Sequence, residues 1–89
     1  MKNFDITDVQ ITPVTERNGL LAFASLVIND NLYLSSIAIH RKLDGTGLRL
    51  TYPTKRAGNK DRNIFHPLTP DLSLAIERVL FDEYQRLYG

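Results

Sequence analysis

The chain has 89 residues, a length that predicts one domain over residues 1–89 and leaves no room for two. It contains no cysteine, which excludes a disulfide framework and a thiolate metal site, and its longest apolar run is far shorter than the ~20 residues of a membrane span. The net charge is +1, but residues 41–62 hold seven cationic and two acidic side chains, so this segment carries +5, whereas residues 1–40 and 63–89 carry −2 each. A local basic segment of this kind predicts an anionic partner.

The start of the chain and its lack of cysteine indicate the compartment. The first eight residues read M-K-N-F-D-I-T-D and are not followed by the apolar segment of a signal peptide. The chain is therefore predicted to work in the reducing cytoplasm, with no membrane partner. A domain of this size buries only roughly 60–65% of its unfolded surface, so a partner subunit would help to stabilise it.

The first part of the chain predicts two strands. Val9 and Ile11 alternate with polar residues, as in a half-buried strand, and Pro13 either confines that strand to a sheet edge or ends it. The Asn-Gly pair at 18–19 is a strong hairpin signal. The apolar run from Leu20 to Ile28, which follows this pair, predicts the second strand.

The middle of the chain predicts a third strand with a bulge or a switch of faces. A turn cluster at 29–31 leads into residues 32–40, whose apolar phase changes sides near 35–36. The same kinds of signal predict the later elements, which are a loop at 44–47, a strand at 48–52, a loop at 53–60 and a short strand near 62–65.

The last segment predicts a helix. Thr69 suits the N-cap, Pro70 the first helical position and Asp71 the first turn. The apolar residues that follow fall on one helical stripe, which comprises Leu72, Ile76, Val79, Leu80, Tyr84 and Leu87. Five strands and one helix in this order predict an α+β fold, with a mostly antiparallel sheet followed by one C-terminal helix.

Two apolar surfaces exceed what a single helix can cover. The strand from Leu20 to Ile28 is apolar on both sides, whereas one helix covers only one face of a sheet. The helix also carries a second apolar seam at a spacing of seven residues, formed by Leu74, Phe81 and Tyr88. These surfaces predict self-association, with a homodimer as the expected assembly.

The basic segment provides the candidate nucleic-acid-binding residues, which are Thr54, Lys55, Arg56, Lys60 and Arg62. Arginine can hold a phosphate or a guanine edge with two parallel hydrogen bonds, lysine adds a mobile charge, and threonine can donate to phosphate oxygens. The alternative is that the basic turn is merely solvated, as charged turns often are. Tyr52 and Phe65 flank this segment, where each could stack on an unpaired base but is also in phase with the core.

Two histidines, His40 and His66, would suit acid–base catalysis if they met in space. Nothing in their spacing brings them together, and a histidine before Pro67 is typical of a residue that bonds backbone where a strand leads into a helix. The sequence also lacks histidine pairs at metal-binding spacing and any phosphate-binding loop. The chain is therefore predicted not to be an enzyme and to bind no metal, cofactor or small-molecule substrate.

Glu83 falls within the apolar stripe of the helix, and carboxylates are rarely buried without a partner. Arg56 or Arg62 is the predicted ion-pair partner. Such a pair would hold the basic segment against the helix.

A set of short motifs runs along nearly the whole chain and is densest from Tyr52 to Pro67. Residues 53–56 read P-T-K-R and residues 62–67 read R-N-I-F-H-P, with further matches at Ile6-Thr7-Asp8-Val9, Ala24-Ser25, Gly47-Leu48, Glu83-Tyr84 and Leu87. Together they resemble the SpoVG family, the stage V sporulation protein G or septation-regulator proteins of bacteria. The family usually has serine in the position of Thr54, and aspartate and alanine in the positions of Asn63 and Phe65.

This resemblance implies a small dimeric regulator with a β-sheet and a C-terminal helix. Members of the family bind DNA, and some bind RNA, with sequence preference, and they affect sporulation, septation, capsule or virulence genes. Lys55 and Arg56 match the family's basic pair and Arg62 its later arginine, so the resemblance implies these three residues in binding.

Two functional hypotheses remain open at the level of sequence. The first is a homo-oligomeric regulator that binds DNA or RNA through the basic hairpin loop. The second is a protein-interaction module that acts through its apolar strand face and helix seam, with the basic loop solvated and no nucleic acid bound.

Overall fold

The computed structural model describes residues 4–89, so Lys2 of the charge count and the first three of the eight N-terminal residues quoted above lie outside the described residues. Six strands and one helix follow in chain order, with the bounds β1 Ile6–Arg17, β2 Leu20–Ile28, β3 Leu32–Arg41, β4 Leu48–Thr51, β5 Thr54–Ala57, β6 Lys60–Asn63 and α1 Pro70–Tyr88. The first four strands form one antiparallel sheet in the order β1-β2-β3-β4, and β5 and β6 form a separate two-stranded sheet. The fold is α+β, as the sequence predicts. We call β1–β4 with α1 the sheet–helix body, and β5 with β6 the basic hairpin.

The turns of the sheet form where their chemistry predicts them. Asn18 and Gly19 both take positive φ, 53° and 88°, as a type I′ hairpin turn requires. Asn29 and Asp30 do the same between β2 and β3, and the amide of Asn31 donates to the carbonyl of Ile28 at 3.0 Å. These two turns fix the order of the first three strands.

Of the two alternatives predicted for β3, the structure shows a bulge rather than a switch of faces. Ile37 pairs with Ala24 and Leu34 pairs with Leu26, so two β3 residues lie opposite the single residue Ser25. Ser36 takes a positive φ of 64° at this point. The bulge lets Leu34 and Ile37 face the same side of the sheet despite their odd spacing.

Pro13 confines its strand to an edge but does not end it, so the second of these alternatives is wrong. Strand β1 continues to Arg17, and Pro13 is the register partner of Ala22. An edge strand has a neighbour on one side only, so a residue without an N–H is tolerated there. Because β1 is an edge strand, it continues past Pro13.

The core lies between α1 and one face of the four-stranded sheet. Its buried members come from two strands and the helix, and they are Ala22, Ala24, Leu26 and Ile28 of β2, Leu34, Ile37 and Ile39 of β3, and Ile76 and Leu80 of α1. Thr69 caps the helix by accepting a hydrogen bond from the amide of Leu72 at 3.2 Å, and Pro70 opens it, as predicted. Among residues 4–89, no helix combines the length and apolar content that a membrane crossing needs.

The opposite face of the four-stranded sheet is not covered by the helix. Phe23 is 40% exposed on this face and Tyr33 is 65% exposed, and both line a shallow groove with Gln10, Thr12, Ser25 and Ser35. On the helix, Leu74 and Tyr88 of the predicted second seam are also exposed. Of the two predicted apolar surfaces, Phe23, Leu74 and Tyr88 are exposed, whereas Leu21 is buried and Val27 and Phe81 are half-buried. Polar side chains surround the aromatic residues of the open face.

The predicted loop at 53–60 and the predicted strand near 62–65 are wrong in their bounds. Residues of both segments form the basic hairpin, with strands at Thr54–Ala57 and Lys60–Asn63 around the turn residues Gly58 and Asn59. Residues 4–89 therefore form six strands rather than the predicted five. Periodicity does not reveal β5 and β6 because neither strand has an apolar side.

Candidate nucleic-acid interface

The basic hairpin projects from the end of β4 and is solvated along its whole length. All eight residues of its two strands are exposed. Its base is closed by the amide of Ile64, which donates to the carbonyl of Pro53 at 2.8 Å. All five residues predicted to bind nucleic acid lie on this hairpin, so the structure brings the predicted site together in one element.

The turn of the hairpin sets its register. Gly58 takes a positive φ of 64° at the first central position, the place that glycine occupies in a type II′ turn. With a two-residue turn, Ala57 lies opposite Lys60, and the pairing continues through Arg56 with Asp61, Lys55 with Arg62 and Thr54 with Asn63. Cross-strand partners share one face of a sheet, and successive residues alternate between faces.

One face of the hairpin carries three cations and no carboxylate. Lys55 and Arg62 are cross-strand partners, and Lys60 lies two residues further along the same face, opposite Ala57. We call these three residues the cationic face. The three positive charges face solvent together, and such a cluster attracts an anionic surface.

The other face is close to neutral. Arg56 lies opposite Asp61, with its Nη1 atom 3.7 Å from Oδ1 of the carboxylate, and Thr54 and Asn63 complete the face. Both charged side chains are largely exposed, at 70% and 62%, so the ion pair contributes at most about 1 kcal/mol. We call these four residues the paired face. Asp61 is a residue that sequence reasoning missed, and the signal for it is its register opposite Arg56.

Tyr52 and Phe65 lie at the base of the hairpin and belong to the core. Both are partly buried against the core cluster, and their rings meet edge to face with centroids 5.9 Å apart. The hydroxyl of Tyr52 is buried without a hydrogen-bond partner, and burial, together with the nearby charge of Glu77, raises the pKa of Tyr52 to about 12. Of the two alternatives for these rings, the structure supports core packing rather than base stacking.

The two histidines have separate local partners. His40 shares a hydrogen bond of 2.8 Å with the hydroxyl of Thr51, and burial and the neighbouring Arg49 lower the pKa of His40. His66 lies 3.1 Å from the carbonyl oxygen of Pro67 through Nδ1, at the backbone before the helix, as predicted. Within residues 4–89, no three metal-ligating side chains come together.

The predicted pairing of Glu83 with Arg56 or Arg62 is wrong. Glu83 accepts two hydrogen bonds from the guanidinium of Arg86, at 2.9 and 2.8 Å, three residues along the same helix. This contact lowers the pKa of Glu83. Because its partner is local, Glu83 does not fix the hairpin against the helix.

Comparison with known proteins gives a consistent result along the chain. The family model SpoVG matches residues 4–86. A septation protein SpoVG of Borreliella burgdorferi is 29% identical over 92% of this chain and 87% of its own length. Septation proteins SpoVG of Listeria monocytogenes and Myxococcus xanthus are each 31% identical over 92% of this chain, and the matches span 79% and 81% of their lengths.

Proposed function

This chain belongs to the SpoVG family, and we propose that it is a small homo-oligomeric bacterial regulator that binds nucleic acid through its basic hairpin. DNA is the primary expected partner and RNA the second. The relatives are named as septation proteins, so we extend the proposal to a regulatory role in that process, carried out in the cytoplasm and without catalysis.

The observation that carries this proposal is the exposure and charge of the hairpin. Its ten residues from 54 to 63 hold four cations and one carboxylate, and the strand residues among them are all exposed. None of these side chains is needed to fill the core. Exposed cations on a protruding element suit contact with phosphate oxygens, which dominate the affinity of proteins for nucleic acids.

Self-association is supported by the apolar groups that the fold leaves in solvent. Phe23 and Tyr33 on the open sheet face, and Leu74 and Tyr88 on the helix, are all between 40% and 65% exposed. A homodimer would cover part of this surface and would present two hairpins to one ligand. Light scattering at micromolar concentration should give the mass of a dimer, and Phe23→Asp should lower it while the chain stays folded.

Binding is tested by a salt titration against duplex and single-stranded oligonucleotides. If each of two hairpins makes about two or three phosphate contacts, the logarithm of the affinity should fall with the logarithm of salt concentration with a slope of roughly −4 to −5 on duplex DNA. The triple variant Lys55→Ala, Arg56→Ala and Arg62→Ala should lose most of the affinity and most of this slope. Thermal melting of the variant provides the control for folding.

A specific observation also favours a second function, that of a protein-interaction module. The open sheet face and the helix seam could bind another protein rather than a second copy of this chain. If the folded triple variant binds oligonucleotides as tightly as the parent across the salt series, the hairpin is not the binding site. That result would place binding elsewhere on the chain, whereas a parent that binds neither oligonucleotide would favour the interaction module.

A further inference from the structure

The two faces of the basic hairpin point in opposite directions, so only one of them can lie flat against a nucleic-acid backbone. Lys55, Lys60 and Arg62 occupy one face, whereas Arg56 lies on the other. In sequence the four cations form a single basic segment. The pairing register divides them three to one.

The cationic face has a spacing that suits phosphate groups. Lys60 is two residues along the strand from Arg62, which places its backbone about 7 Å from the Lys55–Arg62 pair in an antiparallel sheet. This separation is close to that between neighbouring phosphates on one nucleic-acid strand. Without a carboxylate on this face, all three charges are available to an anionic ligand.

The paired face is much less suited to such a ligand. Asp61 lies opposite Arg56 and within 3.7 Å of it, so the carboxylate offsets the charge of the guanidinium and repels an approaching phosphate. The pair is also a cross-strand contact of opposite charges, which stabilises the register of a hairpin. Arg56 therefore stabilises the hairpin through its ion pair with Asp61.

We infer that the hairpin binds the phosphate backbone through Lys55, Lys60 and Arg62, while Arg56 points away from the ligand and is held by Asp61. The inference rests on the proposed function and divides its candidate residues. It places Lys60, which lies outside the family's basic pair, at the interface, and it removes Arg56 from direct contact. Because phosphates carry no sequence information, these three contacts contribute affinity rather than sequence preference.

Two substitutions that remove the same charge from opposite faces test this division. Lys60→Gln and Arg56→Gln each remove one positive charge from the hairpin, so net charge cannot explain a difference between them. Binding of each variant to one duplex and to a scrambled duplex is followed by fluorescence anisotropy over a salt series. Melting curves confirm that both variants are folded.

Lys60→Gln should flatten the slope of log affinity against log salt by about 0.9 per bound hairpin. It should weaken binding to the two duplexes equally. Arg56→Gln should leave the slope unchanged. If Arg56→Gln flattens the slope as much as Lys60→Gln does, the division between the faces is wrong although the hairpin still binds. If the parent shows no salt-dependent binding at all, the proposed function itself fails.

Asp61→Asn provides an independent test of the same inference. This substitution removes the carboxylate that pairs with Arg56 and leaves all four cationic residues of the hairpin in place. The affinity should change by less than about twofold, well under the tenfold that corresponds to 1.4 kcal/mol, because the freed arginine remains on the far face. A rise of tenfold or more would place Arg56 at the interface and overturn the inference.

Discussion

The sheet–helix body and the basic hairpin use side chains in opposite ways. Every buried residue that the structure describes lies in β2, β3 or α1, whereas all eight strand residues of the hairpin are exposed. The body therefore supplies the free energy of folding, and the hairpin is left free to carry charge. Substitutions in the two regions should separate stability from binding.

The largest effect is expected from the same substitution made once in each region. Ile39 is fully buried, so Ile39→Ala should lower the free energy of unfolding by about 2–5 kcal/mol. Ile64, at the base of the hairpin, is 63% exposed, and Ile64→Ala should cost less than about 1 kcal/mol. Urea unfolding of both variants measures the difference. Equal losses would show that the Ile64 side chain contributes to the core despite its exposure.

A smaller effect within the body is expected at the start of α1. Thr69→Ala removes the hydroxyl that caps the amide of Leu72 and should cost about 1 kcal/mol. Thr69→Ser keeps a hydroxyl in the same place and should restore most of the loss. The melting temperatures of the two variants report this, and a Ser variant as unstable as the Ala variant would argue against capping.

These two regions also differ in how much of them could be predicted. Asn18, Gly19, the bulge near Ser36 and the cap at Thr69 are recoverable from sequence because each rests on local backbone chemistry. The hairpin strands cannot be recovered from the sequence, because neither β5 nor β6 has an apolar side that would reveal a period of two. The partner of Glu83 differs from the predicted one because a local arginine, Arg86, pairs with the carboxylate within the helix.

The candidate site was predicted as a set of residues but not as a surface. The residue types of the basic segment indicate phosphate contact, whereas the face on which each lies depends on the register set by the turn at Gly58. A slip of one residue would exchange the faces. Asp61 is therefore informative only once its position opposite Arg56 is known.

Tyr52 lies where the sheet–helix body meets the basic hairpin, and its burial should make stability depend on pH. Its folded pKa of about 12 lies above the ordinary value of 10.0, so the protonated hydroxyl is favoured by the fold. The associated stability should be fully present below pH 10 and should be lost as pH rises towards 12. Tyr52→Phe should keep or slightly raise stability at neutral pH, because the buried hydroxyl has no partner, and it should remove this part of the alkaline loss. Parallel losses in parent and variant above pH 10 would contradict this assignment.

The smallest effect on global stability is expected at the turn of the hairpin. Gly58 has a positive φ and open space around it, so Gly58→Ala should strain the turn by roughly 1–2 kcal/mol without a clash. The strain should lower amide protection in β5 and β6 while the urea midpoint of the whole chain stays the same. Gly47→Ala, at a glycine without positive φ, is the matched control and should leave hairpin protection unchanged. A lowered global midpoint for the Gly58 variant would mean that the hairpin contributes to the core.

The division between a body that folds and a hairpin that binds is tested most directly by mapping the ligand onto the chain. An isotope-labelled sample titrated with a duplex oligonucleotide should show amide chemical-shift changes concentrated between residues 54 and 63, with the largest side-chain changes at Lys55, Lys60 and Arg62. The amides of α1 and of the open sheet face should move little. Changes centred on Phe23 and Tyr33 or on α1, with the hairpin unmoved, would contradict the account.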